Sequence, residues 1–315
     1  MILTVTLNTS IDKAYVVENF KIGDVARVKE AVYTAGGKGL NVTKVVAALG
    51  EEVMATGFIG GFAGGFIEHE LSKMNIPHEF VRIEGETRSC VNIIDEATHV
   101  HTELLEPGPL LTPKDVERFI NLYEILLQRA DVITMSGSAP RGVDVNIYKT
   151  LIKIARNYGK KVILDTSGEY LKGGIEAGPT LIKPNKKEAE QLLDVNIENE
   201  KDAGIAVSKL LNLGIEMPVI SLGSKGAVMA SGSDVLYAPA PKVHAVNTVS
   251  CGDAMIAAFA VAMKRKYDAR EMLKLGVAVS AAKSMTAETG GCRRKDVEMM
   301  LNEVSINKIQ KLKGE

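Results

Sequence analysis

The clearest candidate for chemistry is the segment Asn247–Met255, which combines small residues, a glycine and the carboxylate of Asp253. The apolar run Ile256–Met263 follows directly, so the segment is expected to be a turn that opens a helix. The first N–H groups of such a helix have no partner within it and, with the helix dipole, attract anions. Asp253 therefore has two interpretations. It either caps the helix or accepts a proton from a group that attacks a bound phosphate.

A second glycine-rich helix start, the GGKG turn at residues 36–39, lies near the other end of the chain. It lacks the GxxxxGK[ST] spacing of a P-loop, and residues 57–61 lack the GxGxxG spacing of a dinucleotide fold. Two anion sites that face one crevice suit phosphoryl transfer, in which one holds the travelling group and the other the acceptor. Solvated surface charge is the alternative for Arg27, Lys38 and Arg88, and Lys38 in its glycine turn fits that alternative least.

Strand-like and helix-like segments alternate along the chain, and the predicted strands end in polar or glycine-rich turns. In the second half these turns begin at Ser136, Asp165, Lys183 and Gly223. The alternation predicts a mostly parallel sheet with helices on both faces. Since ligands of such sheets bind at the carboxyl ends of the strands, the polar turns favour a ligand site there.

Residues 78–106 interrupt the alternation, because they contain three short strand-like segments and no helix. The segments are His78–Ile83, Cys90–Ile94 and His99–Leu105, and all are partly polar. We expect them to form a β-rich layer that lies over the cleft.

The composition excludes several classes of protein. The 315 residues include 38 basic and 39 acidic side chains, so no nucleic-acid footprint and no polybasic membrane patch is expected. The longest apolar run, Ala254–Met263, is too short to span a bilayer. Three cysteines without CxxC spacing, and an N-terminus without a signal-peptide pattern, predict a cytoplasmic protein.

In their order along the chain, these motifs resemble those of the PfkB (ribokinase-like) carbohydrate kinases, over essentially the whole length. Residues 36–41 resemble the N-terminal signature of that family, and residues 247–263 resemble the C-terminal one. Residues 185–188 match its NxxE element, which is linked to Mg–nucleotide binding, and residues 221–226 resemble its nucleotide loop. Each motif alone is a weak signal, whereas the ordered combination is specific.

The resemblance implies a fold, cofactors and an assembly. The fold is α/β: one kinase domain over residues 1–315, with a Rossmann-type three-layer core, a mostly parallel sheet and a small β lid. The lid is expected from two insertions, at about residues 13–34 and 78–106. ATP and Mg²⁺ are the implied cofactors and a small sugar phosphate is the implied partner. A homodimer through the lid is expected, because pairing would bury exposed strand edges.

The resemblance also assigns roles to residues. Asp253 is the implied catalytic base, and the implied anion hole is Ser250, Cys251 and Gly252. The implied sugar-binding residues are Asp12, Arg27, Gly36, Gly37, Lys38, Asn41, Arg88 and Ser138, of which Arg27, Lys38, Arg88 and Ser138 would neutralise the existing phosphate. The implied nucleotide-binding residues are Lys183, Asn185, Glu188, Ser221, Gly223 and Gly226, with Asn185 and Glu188 holding Mg²⁺ through water.

Within the family, the chain resembles the branch that acts on ketohexose phosphates. The segments at residues 85–90 (GETRSC) and 102–106 (TELLE) favour a tagatose-6-phosphate kinase. A 1-phosphofructokinase, which converts fructose 1-phosphate to fructose 1,6-bisphosphate, is the alternative. Both reactions yield a 1,6-bisphosphate, so one cleft can hold either substrate in reversed orientation.

Two positions depart from the family pattern. Ser250 stands where the anion hole usually has glycine, and residues 139–142 (APRG) replace the usual LPPG or LPKG. A positive φ angle would strain a serine, so a catalytically weak nucleotide- or sugar-phosphate-binding protein is a third interpretation. Retention of Asp253, Asn185 and Glu188 argues against it.

Overall fold

The computed structural model describes residues 1–311. Their strands are β1 (Ile2–Thr6), β2 (Ser10–Val17), β3 (Glu30–Gly36), β4 (Val53–Gly60), β5 (His78–Ile83), β6 (Arg88–Asp95), β7 (Val100–Leu105), β8 (Val132–Ser136), β9 (Lys161–Asp165), β10 (Leu181–Ile182), β11 (Met217–Ser221), β12 (Ala227–Ser231), β13 (Asp234–Ala238) and β14 (Asn307–Lys311). Their α-helices are α1 (Lys38–Ala48), α2 (Gly61–Lys73), α3 (Pro113–Leu127), α4 (Ile147–Asn157), α5 (Gly168–Ile175), α6 (Lys186–Leu193), α7 (Glu200–Asn212), α8 (Cys251–Lys264), α9 (Ala269–Ser284) and α10 (Arg294–Glu303). None of these helices is long and apolar enough to cross a bilayer.

The large sheet has ten strands in the order β14-β13-β12-β11-β10-β9-β8-β1-β4-β5. The strands from β11 to β5 in that order run parallel, and β12, β13 and β14 form an antiparallel edge. Central strands such as β1 and β8 are buried along their whole length, as expected for a sheet that is covered on both faces. The predicted α/β fold with a mostly parallel sheet is confirmed.

Two hydrophobic cores lie on opposite faces of this sheet. The first contains side chains of α1, α8 and α9, including Leu40 and Phe259. The second contains side chains of α3, α4 and α7, including Phe119 and Tyr148. Helix α8 is buried from its third residue to Met263 and packs between α1 and α9. Such burial holds the helix rigidly, so its N-terminus is a fixed part of the cleft described below.

The small sheet has the order β3-β2-β6-β7, and its strands come from the two regions expected to form a lid. The predicted boundary of the second region is wrong, however. His78–Ile83 pairs in parallel with β4 at the edge of the large sheet, so the second lid segment begins at Arg88. A short, partly polar strand has the same sequence pattern in either sheet, because the pattern records exposure and not the pairing partner.

Candidate active site

A cleft of about 1200 Å³ lies between the carboxyl ends of the parallel strands and the small sheet. The predicted residues that line it are Asp12, Gly37, Lys38, Asn41, Arg88, Ser138, Lys183, Asn185, Glu188, Ser221, Gly223, Gly226, Ser250, Cys251, Gly252 and Asp253. Two predicted residues do not line it. Arg27 lies in an exposed segment between β2 and β3. Gly36 lies behind Asp12, where an added Cβ would come within 2.1 Å of the Asp12 Cγ atom, so this position requires glycine.

Asp253 is the third residue of α8 and is only 6% exposed. Asn41, on α1, donates from Nδ2 to its Oδ2 at 3.0 Å, which joins the two glycine-rich helix starts predicted from the sequence. Burial, and next to it the carboxylate of Asp165, raise the pKa of Asp253 to about 6. Within residues 1–311, no backbone N–H of α8 donates to this carboxylate, so Asp253 does not cap its helix. A buried carboxylate with a raised pKa is suited to accept a proton near neutral pH.

The N-terminus of α8 presents free donors to the cleft. Across the described chain, the N–H groups of Gly252 and Asp253 meet no acceptor. Lys183 approaches the same place, since an added Cβ at Gly252 would lie 3.4 Å from Lys183 Nζ. Unsatisfied amides at a helix start beside an ammonium group form an anion site. A transferring phosphoryl group fits these residues.

Ser250, which departs from the family pattern, precedes α8 with φ 65° and ψ 10°, in the left-handed region. A residue with a Cβ atom is disfavoured there by about 1–2 kcal/mol. Its hydroxyl does not cap α8 but accepts a hydrogen bond from the backbone N–H of Gly290 at 2.9 Å. The strain expected from the sequence is therefore present, and this hydrogen bond, which glycine cannot make, offsets part of it.

Asp165 is a cleft residue to which the sequence analysis assigned no role. It is buried at the end of β9, with its carboxylate oxygens 3.3 Å from Lys183 Nζ and 3.7 Å from Lys38 Nζ. Burial opposes ionisation of Asp165, but the two ammonium groups prevail and hold its pKa below the usual value. Asp165 in turn raises the pKa of Lys38. Lys38, expected to bind the phosphate already on the sugar, is thus paired beside the base. The polar turn that begins at Asp165 was the available signal.

The NxxE element opens α6 as a complete capping box. Asn185 Oδ1 accepts from the N–H of Glu188, and Glu188 Oε2 accepts from the N–H of Asn185, both at 2.9 Å. Both side chains also line the cleft. Residues 1–311 contain no group of three His, Cys, Asp or Glu side chains that could hold a metal. The oxygen donors of Asn185 and Glu188 suit Mg²⁺, which commonly takes one or two carboxylates and completes its shell with water and phosphate oxygens.

Arg88 and Ser138, which both line the cleft, each contact Asn8. Arg88 donates from Nη1 to the carbonyl of Glu106 at 3.0 Å and from Nη2 to the carbonyl of Asn8 at 3.2 Å. Asn8 Nδ2 donates to Ser138 Oγ at 3.2 Å. The Nε group of Arg88 is buried without an acceptor in the described chain, and a phosphate oxygen would satisfy it.

Two neighbours of Arg88 have structural partners instead. Glu86 accepts from the N–H groups of Phe62 and Ala63 at the start of α2. Thr87 Oγ1 accepts from the N–H of Gly60. Neither side chain lines the cleft. Of the two segments used to distinguish sugars, Arg88 and Cys90 of residues 85–90 and Glu103 and Leu105 of residues 102–106 line the cleft.

Comparison with known proteins identifies the family of the chain. The pfkB family carbohydrate kinases match residues 4–296. A possible 1-phosphofructokinase from Thermotoga maritima is 29% identical with a TM-score of 0.89, over 98% of this chain and 100% of that one. Phosphofructokinase-2 from Escherichia coli is 27% identical with a TM-score of 0.89, over 96% and 98%. Its structures include complexes with potassium and with fructose-6-phosphate and a tetrameric inhibited form. Ribokinase from Thermotoga maritima, 23% identical with a TM-score of 0.78 over 96% and 99%, shares the fold.

The match covers nearly the whole chain, and Asp253, the start of α8 and the residues of the NxxE element line one cleft, as the motifs led us to expect. The expected resemblance is confirmed. This chain belongs to the pfkB family of carbohydrate kinases, and it is an ATP-dependent sugar kinase.

Proposed function

We propose that this kinase transfers the γ-phosphoryl group of MgATP to tagatose 6-phosphate and forms tagatose 1,6-bisphosphate. The observation that carries the proposal is that two groups suited to bind anions line one cleft. One is the N-terminus of α8 beside Asp253, and the other is the guanidinium group of Arg88, whose Nε has no acceptor in the described chain. A sugar that already carries a phosphate would bind the second site and present its free hydroxyl to the first.

In the proposed reaction, the sugar hydroxyl attacks the γ-phosphorus as its proton passes to Asp253. A bond forms between that oxygen and phosphorus, and the bond from phosphorus to the β–γ bridging oxygen breaks, which releases ADP. The hydrogen bond from Asn41 orients the carboxylate. The amides of Gly252 and Asp253 stabilise the charge on the transferring group, and Lys38 adds a positive charge beside the base.

Asn185 and Glu188 are proposed to hold Mg²⁺ through water, and the ion would supply neutralisation of charge on the phosphate oxygens. The capping box leaves Glu188 Oε1 without a helix partner, so one carboxylate oxygen is available for this. Lys183 lies on the same edge of the sheet and contributes a further charge. We propose Ser221, Gly223 and Gly226 as the remaining nucleotide contacts, because all three line the cleft and Ser221 forms an isolated β-bridge with Asn185.

A 1-phosphofructokinase activity is the second candidate. Glu86 and Thr87, which contributed to the preference for tagatose 6-phosphate, have structural partners outside the cleft, so the preference rests on the residues of the two segments that line it, Arg88, Cys90, Glu103 and Leu105. A possible 1-phosphofructokinase is also among the similar structures.

The deciding experiment is ADP release over a panel of tagatose 6-phosphate, fructose 1-phosphate, fructose 6-phosphate and the two unphosphorylated ketoses. We expect the largest kcat/KM for tagatose 6-phosphate. A larger value for fructose 1-phosphate would replace that assignment with the second candidate. Turnover of free tagatose or fructose as fast as of their phosphates would refute the sugar-phosphate assignment. No ADP release with any of them would indicate a catalytically weak binding protein.

We also propose a homodimer through the small sheet. Its edge strands β3 and β7 are exposed, and Tyr33 and Leu104 on them are 47% and 57% exposed. Pairing would cover both the strand edges and the apolar side chains. The structure of phosphofructokinase-2 as a tetramer supports an oligomer of some kind. Sedimentation should give twice the chain mass for the wild type and a smaller mass for Leu104→Lys.

A cytoplasmic location is proposed from the cysteines. Cys90, Cys251 and Cys292 are all unpaired. Cys251 belongs to the proposed anion hole, so its oxidation would add bulk where a phosphoryl group must bind. A reducing compartment avoids this.

A further inference from the structure

The loop between α9 and α10 forms part of the cleft wall, with Ala287, Glu288 and Thr289 lining it. Three side chains from outside hold its backbone. Asn247 donates from Nδ2 to the carbonyl of Ala287 at 2.8 Å, and Lys44 donates from Nζ to the carbonyl of Thr289 at 3.1 Å. Ser250 accepts at Oγ from the N–H of Gly290 at 2.9 Å. Two of the three belong to the segment that forms the anion hole. We call residues 287–290 the wall loop.

Lys44, on α1, is the third and is only 8% exposed. Its Nζ donates a second hydrogen bond, at 3.0 Å, to the carbonyl of Ala35 at the end of lid strand β3. One ammonium group therefore connects the base of the lid with the wall loop. Burial lowers the pKa of Lys44, which shows that its position is unfavourable for a charge. Two backbone carbonyls accept hydrogen bonds from the ammonium group, and the carboxylates of Asp12, Glu288 and Asp253 favour its charge although none in the described chain lies within 4.0 Å.

The packing around this ammonium leaves little space for another arrangement. An added Cβ at Gly290 would lie 2.6 Å from Lys44 Cε and 3.0 Å from Asn41 Oδ1. Asn41 is one turn before Lys44 on the same helix and donates to Asp253. The same face of α1 thus positions the base through Asn41 and the wall loop through Lys44.

We propose that Lys44 is a positioning residue for phosphoryl transfer. Its ammonium group fixes the base of the lid relative to the wall loop. The hydrogen bond between the wall loop and the Ser250 hydroxyl then fixes the start of α8 relative to both. The inference rests on the proposed function, because the lid must cover the sugar while the anion hole receives the phosphoryl group. Lys44 touches neither substrate, so its effect should appear in kcat more than in substrate affinity.

The kinetic test compares Lys44→Met, Ser250→Ala and the double variant, with Lys264→Met as control. Methionine keeps the length of the side chain but removes the donors, and Lys264 lies outside the cleft. We expect Lys44→Met to lower kcat at least tenfold, with KM for MgATP within about twofold of wild type. The double variant should be at most about threefold slower than Lys44→Met, because both substitutions release the same loop. A kcat for Lys44→Met within threefold of wild type, or multiplicative effects in the double variant, would overturn the proposal.

Hydrogen exchange without substrates provides a readout that does not depend on turnover. Lys44→Met should increase exchange at least tenfold in peptides covering residues 34–37 and 287–291, and Ser250→Ala only in the second peptide. A wild type that phosphorylates no sugar would refute the proposed function and leave this measurement valid. Unchanged exchange in Lys44→Met would refute the role of Lys44 alone. If Lys44→Met does not fold, Lys44→Gln, which keeps one donor, replaces it. Failure of both to fold would make Lys44 a folding residue and refute the proposal.

Discussion

Replacement of Asp253 by asparagine should make the enzyme slower and more stable at the same time. Asparagine keeps the size of the side chain and an oxygen that accepts from Asn41, but it cannot take a proton. General-base catalysis typically contributes about 10²–10⁴-fold in rate, so kcat with the best phosphosugar should fall at least about a hundredfold.

The gain in stability follows from the environment of the carboxylate. Burial and Asp165 raise the pKa of Asp253 from 3.8 to about 6. The folded protein therefore binds more protons than the unfolded chain between these pH values, and its stability falls as the pH rises through that window. Above pH 6 the ionised carboxylate costs about 3 kcal/mol, from about 1.36 kcal/mol for each pKa unit. With an unfolding entropy of about 2.1 cal/mol/K per residue, Asp253→Asn should melt about 4–5 °C higher at pH 7.

Thermal melts at pH 7 and pH 5, together with kcat, test this reasoning. The stabilisation should be smaller at pH 5, where wild-type Asp253 is largely protonated. Asp115→Asn is a control with the opposite sign. Its carboxylate has a pKa held low by the hydroxyl and N–H of Thr112, so its loss should destabilise the protein at pH 7. A melting temperature of Asp253→Asn at pH 7 that equals or lies below that of the wild type would refute the raised pKa of Asp253. More than a tenth of wild-type kcat, with phosphoryl transfer rate-limiting, would refute the role of Asp253 as base.

Three further predictions follow from the site. Arg88→Ala removes a charged donor from the second anion site, so KM for the phosphosugar should rise at least about tenfold with KM for ATP nearly unchanged. Equal changes in the two KM values would contradict the assignment of Arg88 to the phosphate of the sugar. Glu188→Gln keeps an oxygen for the capping box, so the Mg²⁺ concentration needed for activation should rise while the melting temperature does not fall. An unchanged Mg²⁺ titration would leave Glu188 with a capping role only. The wild-type kcat/KM should decrease as the pH is lowered below about 6, because Asp253 must be ionised to accept a proton. A flat profile of kcat/KM from pH 7 to 5 would exclude Asp253 as the titrating base.

The sequence was sufficient to predict the parts of the site that belong to motifs. Asp253 and the N-terminus of α8 lie in one continuous segment, where helix physics and residue order determine the geometry. The expected strain at Ser250 is also present, since this residue lies in the left-handed region at the start of α8. The α/β fold could be predicted because strands and helices alternate along the chain, as they must when helices connect parallel strands.

Features that depend on pairing between distant parts of the chain were harder to predict from the sequence. His78–Ile83 has the pattern of a lid strand but pairs with β4, because alternation does not name a partner. The pairing of Lys38 with Asp165, which is far away in sequence, was not predicted, because no local pattern joins the two residues. Arg27 is basic and lies between two lid strands, but it is exposed and does not line the cleft.

The hydrogen bond between Asn41 and Asp253 joins residues 212 positions apart. Contacts of such long sequence separation form late in folding, since loop-closure entropy must be overcome before they add stability. Recovery of catalysis after dilution from denaturant should therefore lag behind recovery of the far-ultraviolet circular dichroism signal, which reports helices that form locally. For this chain, turnover is a sensitive reporter of correctly completed folding, and it detects misassembled molecules that spectroscopy of secondary structure counts as native.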